Sequence, residues 1–189
     1  MASVLIPLAP GFEELEAVTV IDLLVRAGVE VITAGLEPGP VTASRGVTLL
    51  PDSVLDDLLE REFTMIVLPG GLPGADHLNR DPRIHTLLRR TAAAGGVTAA
   101  ICAAPKVLAA SGLLRDKRAT AYPGILEPLA ETEAIHLTSD AVVIDGSVIT
   151  SRGPGTAMEF ALTLIAKLVG EEKRAEVAAG LLYTNPSKS

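Results

Sequence analysis

The chain has one cysteine, no tryptophan and only 3% aromatic residues among its 189 residues. A single cysteine excludes an internal disulfide and a cysteine-rich zinc site, which indicates a reducing compartment. So few aromatic rings offer no stacking surface for nucleic-acid bases. We therefore expect neither a secreted disulfide scaffold nor a specific nucleic-acid partner, and the core should be aliphatic.

Positive charge is also scarce, with 16 basic against 23 acidic residues and a net charge of −7. This balance gives no broad field to attract a polyphosphate. The apolar fraction of 48% and the charged fraction of 21% exclude disorder as the overall state. The length predicts one domain over residues 1–189.

Long apolar runs are absent as well. The N-terminus lacks the basic region of a signal peptide. The best candidate for a membrane span, residues 157–169, is short and contains Glu159 and Lys167, whereas a span needs roughly 20 apolar residues. We expect a soluble cytoplasmic protein with no membrane partner.

Short apolar runs alternate with helical stretches, and glycine or proline separates them. Strands are predicted at residues 4–8, 29–34, 63–68 and 97–101, with one or two short strands in 41–50 and a hairpin of 141–144 with 148–151. Helices are predicted at 14–26, in a region ending before Gly95, at 103–110 and at 156–170, and residues 184–189 should be frayed. Continuous apolar strands between helices indicate an α/β, doubly wound, mainly parallel sheet with helices on both faces.

Ligands of such sheets bind beyond the carboxyl ends of the strands, where Cys102 follows a predicted strand. The small residues Ala100 and Ala104 on either side allow a sharp nucleophile elbow. At a helix start the thiol pKa should fall below its free value of about 8.5. The N–H of Ala103 and one from the Gly70-Gly71 turn could receive an oxyanion. A buried cysteine that only packs in the core, and a glycine turn without function, remain the alternatives.

Three glutamates, at positions 13, 14 and 16, open the first predicted helix. Acidic residues there complement the helix dipole, which is a purely structural explanation for most of them. On a helical wheel Glu13 lies nearest the apolar face and Glu16 on its flank. A carboxyl near a thiolate would have a raised pKa and could carry a proton.

The remaining polar candidates give weaker signals. Arg152 precedes a Gly-Pro-Gly turn, where capping and packing explain it equally well. The histidines, His77, His85 and His136, have no ligand spacing and none adjoins Cys102. We expect packing or surface histidines and no metal site.

Four motifs, taken in order, resemble the ThiJ/PfpI superfamily, in particular its parkinsonism-associated protein deglycase branch and the bacterial relatives of that branch. The motifs are Gly-Phe-Glu-Glu-Leu-Glu at 11–16, Leu-Pro-Gly-Gly at 68–71, Ala-Ile-Cys-Ala-Ala-Pro at 100–105 and Thr-Ser-Arg-Gly-Pro-Gly-Thr at 150–156. The resemblance covers about residues 3–182. It implies a flavodoxin-like fold of the class I glutamine amidotransferase type, and a homodimer.

The resemblance also assigns residues. It makes Cys102 the nucleophile and Glu16, rather than Glu13, the protonated acid that hydrogen bonds the sulfur. The remaining assignments are oxyanion N–H groups at Gly71 and Ala103, pocket or interface positions at Gly70, Tyr122, Arg26 and Arg45, and a structural role near the interface for Arg152.

The chain departs from the family at Tyr122, where relatives that use a histidine often carry a His-Pro dipeptide, and at Ala103, where the protease-like branch has histidine. A cysteine peptidase is therefore the less favoured expectation. We expect a cofactor-independent cysteine enzyme that detoxifies 2-oxoaldehydes such as methylglyoxal, or their adducts with amines or thiols, to 2-hydroxy acids under carbonyl or oxidative stress. The alternative is a redox sensor or redox-regulated chaperone in which Cys102 is oxidised to sulfinate.

Overall fold

The structure, a computed structural model, describes residues 2–184. The strands in this part of the chain are β1 (Ser3–Leu8), β2 (Glu30–Gly35), β3 (Val41–Thr42), β4 (Thr48–Leu49), β5 (Ser53–Val54), β6 (Met65–Leu68), β7 (Val97–Ile101), β8 (Arg118–Ala119), β9 (His136–Leu137), β10 (Val142–Asp145) and β11 (Val148–Ser151). The α-helices are α1 (Glu14–Arg26), α2 (Gly74–Arg80), α3 (Pro82–Ala93), α4 (Pro105–Ala110), α5 (Ala157–Val169) and α6 (Glu171–Gly180). Of the tail expected to be frayed, residues 185–189 lie outside the described part of the chain.

A seven-stranded sheet forms the centre, in the order β10-β11-β7-β6-β1-β2-β5. Every neighbouring pair is parallel except β10 and β11, which form the predicted hairpin. Five adjacent strands, numbered by their order in the chain, follow the strand order of flavodoxin. In space they are β2, β1, β6, β7 and β11. The mainly parallel, doubly wound, flavodoxin-like fold is confirmed.

Side chains that alternate along β1 separate two apolar cores. Val4, Ile6 and Leu8 pack on the face covered by α1 and α5, whereas Leu5 packs on the face covered by α3 and α4. Each of these four residues has at most 1% of its surface exposed. Because both faces are covered, the strand reads as one continuous apolar run in the sequence. Within residues 2–184, no helix has the length and apolar content that a membrane crossing requires.

Several boundaries differ from the sequence prediction for identifiable reasons. Helix α1 has the predicted limits, but α4 begins at Pro105 rather than at residue 103, because a sharp turn occupies the intervening residues. The region 41–50 forms a separate two-stranded sheet of β3 and β4. Helix α6 escaped prediction since Val177 is its only buried residue, which leaves almost no apolar periodicity to detect.

Candidate active site

The carboxyl ends of four strands meet at one edge of the sheet. Strands β1, β6, β7 and β11 run parallel to one another. The segments that follow them carry Glu16, Gly70, Cys102 and Arg152. This edge is where ligands bind in doubly wound sheets, so the fold gathers at one place residues that are up to 136 positions apart in the sequence.

Cys102 occupies a strained turn between β7 and α4. Its φ of 63° lies in the left-handed region, which costs a residue with a side chain about 1–3 kcal/mol. Two backbone hydrogen bonds hold the turn: the Cys102 N–H donates to the Ser151 carbonyl at 3.0 Å, and the Tyr122 N–H donates to the Cys102 carbonyl at 2.9 Å. The cysteine is half-buried. The predicted sharp turn between strand and helix is present, and Cys102 is only partly buried although it packs against the apolar core.

Gly70 allows Cys102 and Glu16 to approach each other. A Cβ atom at this position would lie 2.6 Å from the Cys102 Cβ and 2.7 Å from Glu16 Oε2, which is closer than real Cβ atoms come. The absence of a side chain at Gly70 is therefore required by the site itself. Besides reversing the chain, the turn at Gly70 leaves the space that the Cys102 and Glu16 side chains occupy.

Glu16 is completely buried, with 0% of its surface exposed. The Gly70 N–H donates to its Oε2 at 2.8 Å. Its Oε1 is buried too and accepts no hydrogen bond from residues 2–184, which disfavours the ionised form. Burial, with a smaller contribution from the charge of Glu13, raises the pKa of Glu16 from 4.5 to about 7, against the opposing effect of the Gly70 N–H. Glu16 can therefore gain or lose a proton near neutral pH.

The Cys102 and Glu16 side chains both lie against Gly70, close enough for each to perturb the pKa of the other. Burial, and then the charge of Glu16, raises the pKa of Cys102. The lowered pKa expected from the helix dipole is thus wrong: α4 has only six residues, and burial beside a carboxylate outweighs its field. Because a charge on one group disfavours a charge on the other, the two groups do not both ionise near neutral pH.

Two backbone N–H groups, those of Gly71 and Ala103, lie near Cys102 and lower the pKa of its thiol, against the larger effect of burial. Gly71 has a φ of +87°, and a Cβ there would lie 2.4 Å from the Glu13 backbone nitrogen, so only glycine fits. Donors near a sulfur also lie near the oxygen of a carbonyl that the sulfur would attack. An oxyanion hole formed by Gly71 and Ala103 stays a prediction.

A cavity of about 350 Å³ opens over the sulfur. Its lining residues come from the turns around the edge of the sheet: Glu13, Ser44, Arg45, Gly71, Leu72, Cys102, Ala103, Tyr122, Ile125 and Pro154. Tyr122 is 52% exposed and also forms a wall of a second cavity that Arg152 lines. The volume is that of a small-molecule site.

The structure corrects the helical-wheel prediction that Glu13 lies nearest the apolar face of α1. Glu13 is the N-cap residue of α1, with an extended backbone (φ −84°, ψ 112°). Helical periodicity does not extend to a residue that lies outside the helix. The wheel therefore misplaces Glu13, which lines the cavity, while Glu16 on the first turn is the fully buried carboxyl.

The three arginines predicted to lie at the pocket or interface are found in different places. Arg45 lines the cavity and forms no ion pair with any residue in 2–184. Arg26 does not reach the cavity: it lies in the last turn of α1 and pairs with Asp22 at 2.8 Å. Arg152 donates to the carbonyl of Ser139 at 3.0 Å, a structural contact. Their proposed positions at a subunit interface stay predictions.

The histidines behave as packing or surface residues. His85 hydrogen bonds with Ser111 Oγ and the Asn79 carbonyl, each at 2.8 Å, and His77 contacts the Pro10 carbonyl at 3.0 Å. The described residues contain no group of three or more His, Cys, Asp or Glu side chains arranged to hold a metal ion.

Sequence reasoning missed Ser44, Leu72, Ile125 and Pro154 as cavity residues. Ser44 lies on the β3–β4 hairpin, which Glu14 joins to α1 by accepting hydrogen bonds from the Arg45 N–H at 3.0 and 3.1 Å. The only signal in the sequence was the break in the apolar pattern at residues 44–46.

These features define a doubly wound protein that presents a half-buried cysteine on a sharp strand-to-helix turn beside a buried acid. The chain belongs to the DJ-1/PfpI family, which residues 2–167 match, and the family resemblance seen in the sequence is confirmed. It is 46% identical over 181 residues to protein dj-1beta of Drosophila melanogaster, covering 95% of this chain and 96% of that protein. The crystal structure of Drosophila DJ-1beta superposes with a TM-score of 0.92 at 45% identity, covering 97% of this chain and 99% of that one. The glutathione-independent glyoxalase DJR-1.2 of Caenorhabditis elegans is 41% identical, covering 90% of this chain and 91% of that protein.

Proposed function

We propose that this protein is a cysteine enzyme that converts 2-oxoaldehydes such as methylglyoxal, or their early adducts with amines or thiols, to 2-hydroxy acids. The observation that carries the proposal is the Cys102 thiol at the floor of an open cavity, next to a buried carboxyl whose pKa is raised to about 7. The similarity to a relative named as a glutathione-independent glyoxalase supports it.

The first step is addition of sulfur to the aldehyde carbon. Glu16 takes the thiol proton as sulfur attacks, and returns it to the carbonyl oxygen, giving a hemithioacetal. A carboxyl with a pKa near the working pH suits both halves of this transfer. The N–H groups of Gly71 and Ala103 stabilise the negative charge on oxygen while it exists.

The second step moves hydrogen within the substrate. Glu16, now a carboxylate, removes the proton from C1 and delivers it to C2, while the hydroxyl proton on O1 passes to O2. C1 is thereby oxidised to a thioester and C2 reduced to an alcohol, so no external oxidant is needed. Water then hydrolyses the thioester, which releases the 2-hydroxy acid and the thiolate.

The absence of a histidine from the cavity lining argues against a Cys-His peptidase. Tyr122 stands at the rim instead, where its phenol can hydrogen bond to a substrate oxygen or to water. The cavity lining thus favours chemistry in which a carboxyl, and no imidazole, moves the proton.

The test is conversion of methylglyoxal to lactate by purified protein, with glutathione and metal ions removed. Cys102→Ser should reduce conversion by at least about 10²-fold, since it removes the covalent step. Cys102→Ala serves as a second variant without the thiol. Circular dichroism should show that both variants keep the wild-type fold. Full conversion by Cys102→Ser would show the mechanism to be wrong.

A second candidate function is redox sensing through Cys102. The half-buried sulfur is within reach of oxidants, and the N–H groups of Gly71 and Ala103 could bond the oxygens of a sulfinate. Intact mass after mild peroxide should show a gain of two oxygens that Cys102→Ala lacks. A wild-type protein whose mass stays unchanged would contradict this role.

A further inference from the structure

Two carboxyls flank the reaction site in opposite environments. Glu16 is fully buried, whereas Glu13 is half-buried and lines the open cavity. They are near enough for the charge of Glu13 to raise the pKa of Glu16. Pairs of acids whose surroundings differ in this way commonly take different tasks in one reaction.

The side chain of Glu13 is not used by the helix that it precedes. An N-cap carboxylate ordinarily accepts a hydrogen bond from the first turn of its helix, but Glu13 forms no such bond. Instead Ser44 Oγ donates to its Oε2 at 2.9 Å, and Oε1 accepts no hydrogen bond from the described residues. One oxygen is thus fixed by the β3–β4 hairpin, and the other remains available to the cavity.

The proposed reaction leaves a task that Glu16 cannot perform. After hydrogen transfer, the acyl group is attached to sulfur and Glu16 is a carboxylate. Hydrolysis then needs a base in contact with a water molecule from solvent. Glu16 has 0% exposure, while Glu13 lines the cavity.

We propose that Glu13 is a further catalytic residue, the general base that activates the water for hydrolysis of the Cys102 thioester. This inference rests on the proposed function. Glu13 takes one proton from water, and the hydroxide adds to the acyl carbon. The tetrahedral oxyanion collapses, the C–S bond breaks and the thiolate leaves with the electron pair.

The proton balance also assigns Glu13 a second duty. When the thiolate leaves, it faces the carboxylate of Glu16, and the pair lacks one proton. The proton held by Glu13 returns to that pair, and the acid product releases the other proton of water to solvent. The cycle therefore consumes one water and yields one 2-hydroxy acid anion and one proton.

The experiment is single turnover of methylglyoxal by Glu13→Gln, with hydroxylamine to trap thioesters and intact mass to observe the adduct. Glutamine keeps the shape of the side chain and its contact with Ser44. We expect one equivalent of a hydroxylamine-sensitive adduct on Cys102 to form at the wild-type rate and to decay at least about 10²-fold more slowly. In Glu13→Ala, added formate should restore part of the decay rate.

The matched control is Glu37→Gln, which removes the same charge from a side chain that is 85% exposed and absent from the cavity lining. The adduct on the Glu37→Gln variant should decay at the wild-type rate. Iodoacetamide should still alkylate Cys102 in Glu13→Gln, which reports an accessible thiol independently of turnover.

Each other outcome overturns the inference in a distinct way. Wild-type decay of the adduct in Glu13→Gln removes the role of Glu13 and leaves the proposed function standing. Slow turnover without a trapped thioester places Glu13 before acyl formation and contradicts its role as hydrolytic base. A wild-type protein that forms neither adduct nor lactate refutes the proposed function, and the role of Glu13 with it.

Discussion

Burial of Glu16 makes the stability of the protein depend on pH, and Glu16→Gln should remove that dependence. The native protein holds the Glu16 proton up to a pKa of about 7, whereas the unfolded chain releases it at about 4.5. Between these values the native state binds more protons, so its free energy of unfolding decreases as pH rises. The contribution is complete below the unfolded pKa and is lost as pH rises through the native one.

The magnitude follows from the rise in pKa from 4.5 to about 7, which at about 1.4 kcal/mol per unit amounts to about 3 kcal/mol. Glutamine can still accept the 2.8 Å hydrogen bond from the Gly70 N–H and carries no charge at any pH. The free energy of unfolding of Glu16→Gln relative to wild type should therefore improve by up to about 3 kcal/mol between pH 4.5 and pH 8.

Urea unfolding of reduced protein, repeated across this pH range, measures the effect. Cys102→Ala should keep most of the wild-type pH dependence, since burial is the largest cause of the raised pKa of Glu16. Glu37→Gln should keep all of it, because Glu37 is 85% exposed. Parallel pH curves for wild type and Glu16→Gln would refute a buried, proton-holding Glu16.

Four further outcomes are expected. Gly70→Ala should lose about 1–3 kcal/mol of stability in urea unfolding, because its Cβ has no space, whereas Gly155→Ala, with nothing within 4 Å, should change little. The pH profile of thiol alkylation should show two transitions in wild type and one in Glu16→Gln; identical profiles contradict the coupling. Arg45→Ala should slow alkylation by iodoacetate several-fold and spare iodoacetamide; an equal effect on both denies Arg45 an electrostatic role. Leu15, Val18 and Val25 of α1 are exposed; if the predicted homodimer uses them, Val25→Glu should halve the molar mass in sedimentation, and an unchanged mass places the contact elsewhere.

The fold was predictable because its signals are local. Continuous apolar runs mark β1, β6 and β7, which are buried on both faces, and glycines mark the turns after β1 and β6. The limits of α1 follow from apolar periodicity ending at a glycine. The edge strand β5, of two residues, is too short to carry a pattern, and tertiary pairing alone forms it.

The site was only partly predictable because its contacts are distant in sequence. The elbow at Cys102 is a local arrangement of small residues, and the sequence identifies it. The burial of Glu16 depends on Gly70, which is 54 residues away, and the place of Arg45 depends on hydrogen bonds to Glu14, 31 residues away. The apolar periodicity of one helix carries no information about these contacts. The thiol pKa was wrongly predicted because burial of Cys102 by the surrounding segments outweighs the helix dipole.

The structure explains how this site can dispense with an imidazole. A histidine serves as both acid and base because its ordinary pKa is near neutral pH, and Tyr122 at the rim does not replace that property. Burial raises the pKa of Glu16 to about 7, which gives a buried carboxyl near Cys102 the same capacity. In the proposed mechanism Glu13, which lines the cavity, supplies the contact with solvent. The two carboxyls together provide the proton affinity and the access to water that one histidine would otherwise combine.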